Sequence, residues 1–162
     1  MVTTAKILKG KSHYECVGEM TATYLMKPNI KVSDLPMIGN SKDAYNILLP
    51  FFEKYIDYIE CGGVIFLNKA GRVIATALLF VGGTDSCIID GRVIFQHALL
   101  FNAHSVIIAH NHPSGNLKPS EADIKLTKKI DQSGQIMNIQ LLDHIIVCND
   151  GTYLSFKDEG LL

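Results

Sequence analysis
The apolar positions change period several times along the chain, and each change marks an expected element. Over residues 17–26 (VGEMTATYLM) small, polar and apolar side chains nearly alternate, which predicts a strand ending before Pro28. Ala44, Ile47, Leu48, Phe51 and Tyr55 then recur at helical spacing, so a helix is expected from an N-cap at Ser41, with Asp43 in its first turn, to Tyr55. Apolar runs over 64–67 and 72–80 flank a turn signal at 68–71 and predict a hairpin. Gly82, Gly83 and Thr84 interrupt it, and 86–89 is expected as a further short strand. Residues 93–102 predict a mostly buried helix, His97 and His104 are expected as helix residues, and 105–109 (SVIIA) predict a short buried strand. After a loop rich in Pro, Ser, Gly and Asn, Ser120 is placed to cap a helix that runs to about Ser133 and is closed by Gly134. Residues 139–147 and 153–156 predict the last two strands. Strands and helices mix without regular βαβ alternation, which implies an α+β fold, a mixed β-sheet flanked by helices in a single domain over 17–162. Residues 1–16, polar and aperiodic, are expected to be a loosely ordered leader.

Composition narrows the class. At 162 residues and 48% hydrophobic, the chain suits one domain burying roughly two-thirds of the surface its unfolded form would expose. Cys16, Cys61, Cys87 and Cys148 form no CxxC pair, so neither a thiolate zinc site nor a disulfide framework is suggested, and a reducing cytoplasm fits. Lys6, Lys9 and Lys11 are not followed by a signal-like apolar run, and no stretch resembles a membrane span, so a cytoplasmic protein without a membrane partner is expected. The net charge of −1 and dispersed basic residues lack the footprint of a dedicated nucleic-acid binder. The one local cluster, Lys118, Lys125, Lys128 and Lys129, reads first as the solvated face of a helix, leaving a nucleic-acid partner weakly supported. Nothing in the pattern fixes an oligomeric state.

Chemistry concentrates in His110-Asn111-His112-Pro113-Ser114-Gly115 at the exit of a buried strand, followed by Ser120-Glu121-Ala122-Asp123. On extended backbone, residues i and i+2 share a face, so His110 and His112 can present two imidazole nitrogens to one point. A catalytic zinc takes three protein ligands and keeps a position for water. Asp123, in the first turn behind the Ser120 cap, can supply the third. Each residue also has a plainer reading: the histidines as local hydrogen-bonding groups, Asp123 as an acid favoured by the helix dipole, Ser120 as a cap, and Glu60 as a solvated acid after a helix. The contiguous His110-Asn111-His112 is not the HNH nuclease core, whose residues are scattered over a hairpin and a helix.

Glu60, His110-x-His112-Pro113 and Ser120-x-x-Asp123 together resemble the zinc signature of the JAB/MPN (JAMM) metalloprotease superfamily. The surrounding text is similar to its bacterial RadC-like branch, from about Val17 to Phe156, including Gly83-Thr84, the stretch 103–115 and Leu141-Leu142-Asp143-His144. The resemblance implies a cytidine-deaminase-like/JAB-MPN fold and one Zn2+ held by His110, His112 and Asp123. It further implies Glu60 as the base that activates water, Ser120 as a stabiliser of the oxyanion, and a peptide or protein substrate cleaved at an amide bond. His144, outside the metal signature, is expected as a buried histidine or as a partner orienting a ligand rather than as a fourth ligand. Longer RadC proteins carry a helix-hairpin-helix region ahead of this domain, which this chain is expected to lack. Arg92-Val93 stands where the family has Arg-Glu, so no base is available there. The family name implies DNA repair, as an accessory protein; a metal-binding module without catalysis is the other alternative.

Overall fold
The computed structural model describes residues 2–5, 20–23 and 31–162. β1 (Val2–Ala5) and β2 (Met20–Thr23) pair antiparallel, Val2 opposite Thr23 and Ala5 opposite Met20. β2 lies inside the strand expected over 17–26. β1 stands where a loose leader was expected, and its three β-branched residues, Val2, Thr3 and Thr4, favour extended backbone. The rest of both segments lies outside the described residues. Val32–Leu162 form a second compact unit.

That unit is built on a five-stranded sheet in the order β4-β3-β5-β6-β7, from β3 (Cys61–Leu67), β4 (Val73–Val81), β5 (Ser105–Asn111), β6 (Gln140–Val147) and β7 (Tyr153–Ser155). β5 and β6 run parallel and are joined by a helix; every other neighbouring pair is antiparallel. Three helices flank the sheet: α1 (Ser41–Phe52), α2 (Gly91–Leu100) and α3 (Glu121–Met137). β3 and β5 are buried along their whole length because both faces of the sheet are covered. On one face Leu48 and Phe52 of α1 pack with Ile65, Leu67, Ile107, Ala109 and Ile145. On the other, Ile94, Phe95 and Ala98 of α2 and Ile130 of α3 pack with Val64, Phe66, Val106 and Ile108. Each fully buried side chain of this size contributes about 1.5–3 kcal/mol. The layers give the α+β mixed sheet expected from the pattern, consistent with a JAB/MPN-type fold.

Four local expectations are corrected. Asn40, not Ser41, caps α1: its side chain accepts from the Asp43 amide and the Asp43 carboxylate accepts from the Asn40 amide, a reciprocal box that fits Asn40 because Asp43 lies three residues on. Residues 86–89 form no strand; the Gly83 amide bonds to the Ser86 carbonyl and closes a tight loop instead. Gly134 does not end α3 but lies inside it, where an added Cβ would sit 2.3 Å from the Ile139 carbonyl oxygen. The stop is Asn138, left-handed at φ 54°, whose short polar side chain tolerates that conformation. His104, expected in a helix, follows α2 and leads into β5.

Candidate metal centre
The chain leaves the carboxyl end of β5, passes through residues 112–120 and enters α3 before returning as β6. In sheets with crossover helices, this is where ligands bind. Strand alternation does the sorting. His110 faces the α2–α3 layer, while Asn111 faces the α1 layer. The His112 amide donates to the Val147 carbonyl at 2.9 Å, which carries the extended pairing one residue beyond β5 and puts His112 on the face of His110.

Among the described residues, His110, His112 and Asp123 form the one group of three metal-ligating side chains whose donor atoms lie within 4.8 Å of one another. His110 Nε2 is 2.9 Å from His112 Nε2 and 3.2 Å from Asp123 Oδ1, and His112 Nε2 is 3.7 Å from Asp123 Oδ2. At 3.7 Å the carboxylate acts on His112 as a charge rather than as a hydrogen-bond partner. That carboxylate is the main reason the His112 pKa lies above the ordinary imidazole value, against the opposing effect of burial; the Asn116 carbonyl and the charge of Glu60 act in the same direction. Burial by itself would raise Asp123, but His110, His112 and the Ser120 hydroxyl outweigh it and hold the carboxyl well below the usual range.

The donor set fits a divalent cation. His112 Nδ1 lies 2.5 Å from the Asn116 carbonyl, which can only accept, so Nδ1 carries a proton and, in the neutral ring, Nε2 presents a bare lone pair toward His110. Two imidazole nitrogens 2.9 Å apart beside a carboxylate need a positive centre between them, either a proton or a metal ion. Separations of 2.9, 3.2 and 3.7 Å bracket the spacing of about 3.4 Å expected between tetrahedral ligands roughly 2.1 Å from zinc.

Glu60 immediately precedes β3, and its backbone is fixed between two strand ends: its amide donates to the Gly83 carbonyl at 2.9 Å, and its carbonyl accepts from the Gly82 amide at 2.8 Å. Gly62 pairs with His110. The β3–β5 pairing ends there, and Glu60, two residues before Gly62, lies near enough for its charge to act on His112. Half-buried and outside the ligand group, Glu60 adds negative charge to the cluster.

Ser120 is exposed and serves as the expected cap: its Oγ accepts from the Asp123 amide at 3.1 Å. Its hydroxyl hydrogen goes to Asp123 Oδ2 at 2.6 Å, and the Ser120 amide donates to the same oxygen at 2.7 Å. His144 is fully buried on β6, its ring stacked on Phe156 with centroids 4.6 Å apart. Its Nε2 lies 2.8 Å from His110 Nδ1 and its Nδ1 lies 2.6 Å from the Thr127 hydroxyl, so it contacts a ligand without joining the ligand group. Burial, and then the charge of His110, hold its pKa well below the ordinary value. Ser114 Oγ accepts from the Asn116 amide within the loop. Lys118, Lys125, Lys128 and Lys129 are exposed, the last three along α3, where Lys125 reaches Glu121.

Two contributors were not singled out from sequence. Asn111, with no exposed surface, accepts from the Cys61 amide at 2.8 Å and donates to the Ile59 and Ile56 carbonyls at 2.9 and 3.3 Å. It thereby pins the segment that carries Glu60. The signal was a polar residue on the apolar face of a buried strand, which demands a partner. Thr127 sits one helical turn beyond Asp123 on the same helix face, a spacing readable from sequence but without a visible partner.

Comparison with known proteins gives the family. The profile of the RadC-like JAB domain matches residues 38–161. A UPF0758 protein of Flavobacterium johnsoniae is 42% identical over 127 residues, covering 78% of this chain and 54% of that protein. UPF0758 proteins of Porphyromonas gingivalis (35% over 156 residues, 95% of this chain and 68% of the relative) and Clostridium tetani (43% over 126 residues, 77% and 54%) are similar. The chain therefore spans about half the length of several curated relatives it matches. Since the matched region holds α1 to α3, β3 to β7 and every residue of the candidate metal centre, this chain belongs to the RadC-like JAB domain family.

Proposed function
We propose that the chain is a metal-dependent hydrolase that cleaves an amide bond of a peptide or protein, with Zn2+ as the ion. The carrying observation is the convergence of His110 Nε2, His112 Nε2 and the Asp123 carboxylate on one point, with Glu60 near enough for its charge to act on His112. An ion held there would act as a Lewis acid and bring the pKa of a water toward neutrality. His110 and His112 supply neutral nitrogen donors, and Asp123 offsets part of the positive charge. Glu60, not a ligand, takes the proton of the attacking water and returns it to the leaving nitrogen as the C–N bond breaks; water's oxygen ends on the acyl carbon. Ser120 lies beside Asp123, where its hydroxyl hydrogen would turn to the developing oxyanion, a contribution of a few kcal/mol where water is excluded.

Among the described residues no helix is long and apolar enough to cross a membrane, and we place the protein's work in the cytoplasm, where the free thiols of Cys61, Cys87 and Cys148 suit a reducing medium. The deciding experiment has two arms. Zinc content should be stoichiometric in the purified protein and lost in His112→Ala; metal that persists in the variant would reject this site. Incubation with a broad peptide library should give cleavage that Glu60→Gln abolishes, and identical profiles would leave a binding module. Salt-sensitive binding to duplex DNA would favour the DNA-repair role that the family name suggests.

A further inference from the structure
The hydrogen bonds behind the metal centre have a single consistent direction. Thr127 Oγ1 lies 2.6 Å from the Asp123 backbone carbonyl and 2.6 Å from His144 Nδ1. The carbonyl can only accept, so that contact takes the one hydroxyl hydrogen. The contact with His144 then requires the proton on Nδ1. A neutral His144 carrying Nδ1–H has a bare Nε2, so the 2.8 Å contact with His110 requires the proton on His110 Nδ1. His110 Nε2 is thereby left with its lone pair facing His112 Nε2 and Asp123. The relay starts and ends on Asp123, at its backbone carbonyl and at its carboxylate, and passes through Thr127 and His144, which are 1% and 0% exposed.

We propose that Thr127 is a positioning residue that, through His144, selects the His110 tautomer able to bind a divalent cation and so sets the affinity of the site. The affinity half rests on the metal reading given above; the tautomer half does not. Without the hydroxyl, a buried His144 Nδ1–H has no acceptor. The relay then reverses: His144 carries its proton on Nε2 and gives it to His110 Nδ1. The His110 proton moves to Nε2, where His112 Nε2 or Asp123 accepts it. The proton between the rings is then bonded to His110 Nε2 itself, the atom that must be bare before a metal binds.

The test uses the metal-free chain, with ring-nitrogen protonation read from long-range 1H–15N correlations. Wild type should show protonated Nδ1 on both His110 and His144, Thr127→Val should show both reversed, and Thr127→Ser should match wild type. Zinc affinity, measured by competition with a chelator, should fall about 10–100-fold in Thr127→Val and be kept in Thr127→Ser. A bare Nδ1 on His110 in wild type would overturn the proposal, as would a valine variant with native tautomers and affinity. So would a serine variant as weak as valine, which would reduce Thr127 to packing. Should Thr127→Val fail to fold, the wild-type nitrogens and the serine variant still decide. Wild type that binds no zinc rejects the metal reading and the affinity half together, whereas reversed nitrogens in a zinc-binding wild type reject the relay alone.

Discussion

Replacing Asn111 by alanine tests how the strand that carries the histidines holds the segment that carries Glu60. The substitution removes three hydrogen bonds, two of ordinary length and one at 3.3 Å, from a side chain with no exposed surface. The Cys61 amide, fully buried, would be left without its acceptor, at a cost of about 1–3 kcal/mol. Loss of the two bonds to the Ile59 and Ile56 carbonyls adds about 0.5–1.5 kcal/mol for the better one and less for the longer. The expected total is roughly 2–5 kcal/mol, a large part of the stability of a typical domain. For a chain of this size that lowers Tm by about 5–20 °C. Urea and thermal denaturation of the metal-free protein, followed by circular dichroism, measure the loss. Amide exchange at Cys61 should accelerate with it. Asn111→Asp is the sharper comparison, because a carboxylate oxygen would face the two carbonyls that Nδ2 now satisfies; it should be at least as damaging at neutral pH. A loss under about 1 kcal/mol in Asn111→Ala, with Cys61 exchange unchanged, would refute the clamp.

Further outcomes follow from other contacts. Gly134→Ala should destabilise by about 1–3 kcal/mol in urea although alanine is the better helix former by about 1 kcal/mol, because its Cβ would lie 2.3 Å from the Ile139 carbonyl oxygen; a more stable variant would contradict that packing. Zinc at about 100 times its Kd should stabilise wild type by about 2.7 kcal/mol, a Tm rise of about 5–10 °C, and leave Asp123→Ala unmoved; equal shifts would place the ion elsewhere. The histidines predict a pH signature. His144 is depressed when folded, so the unfolded chain binds the extra proton and stability falls as pH drops below about 6.5, by up to about 1.4 kcal/mol per unit. His112 is raised, so its contribution is complete below about pH 6.5 and lost as pH rises through its folded value, which opposes the first effect. Metal-free His112→Ala should therefore lose stability more steeply than wild type from about pH 7 to about pH 5, and parallel slopes would count against both assignments.

What could be read from sequence was whatever depends on one segment at a time. The hairpin of β3 and β4, the buried run of β5 and the helices follow from period alone, and the shared face of His110 and His112 needs only strand alternation. Boundaries failed where neighbouring residues are equally suited to one role. Asn40 and Ser41 are both good caps, and the reach of Asp43 chose between them. Gly134 was misread because a glycine near a helix end suggests a stop, whereas this one makes room for the carbonyl of Ile139. Glu60 lies fifty residues from the histidines, and its approach to them depends on the pairing of β3 with β5, so only family resemblance reached it. Asn111 and Thr127 escaped for the same reason, since their partners come from other segments.

Asp123 divides its two oxygens between separate duties. Oδ2 receives the amide and hydroxyl of Ser120, while Oδ1 is turned to His110. On the proposed metal binding, a swing of the carboxylate toward or away from an ion would disturb the first turn of α3, so cation release would loosen that turn. Solvent exchange at the amides that open α3 would then act as a built-in gauge of how full the site is.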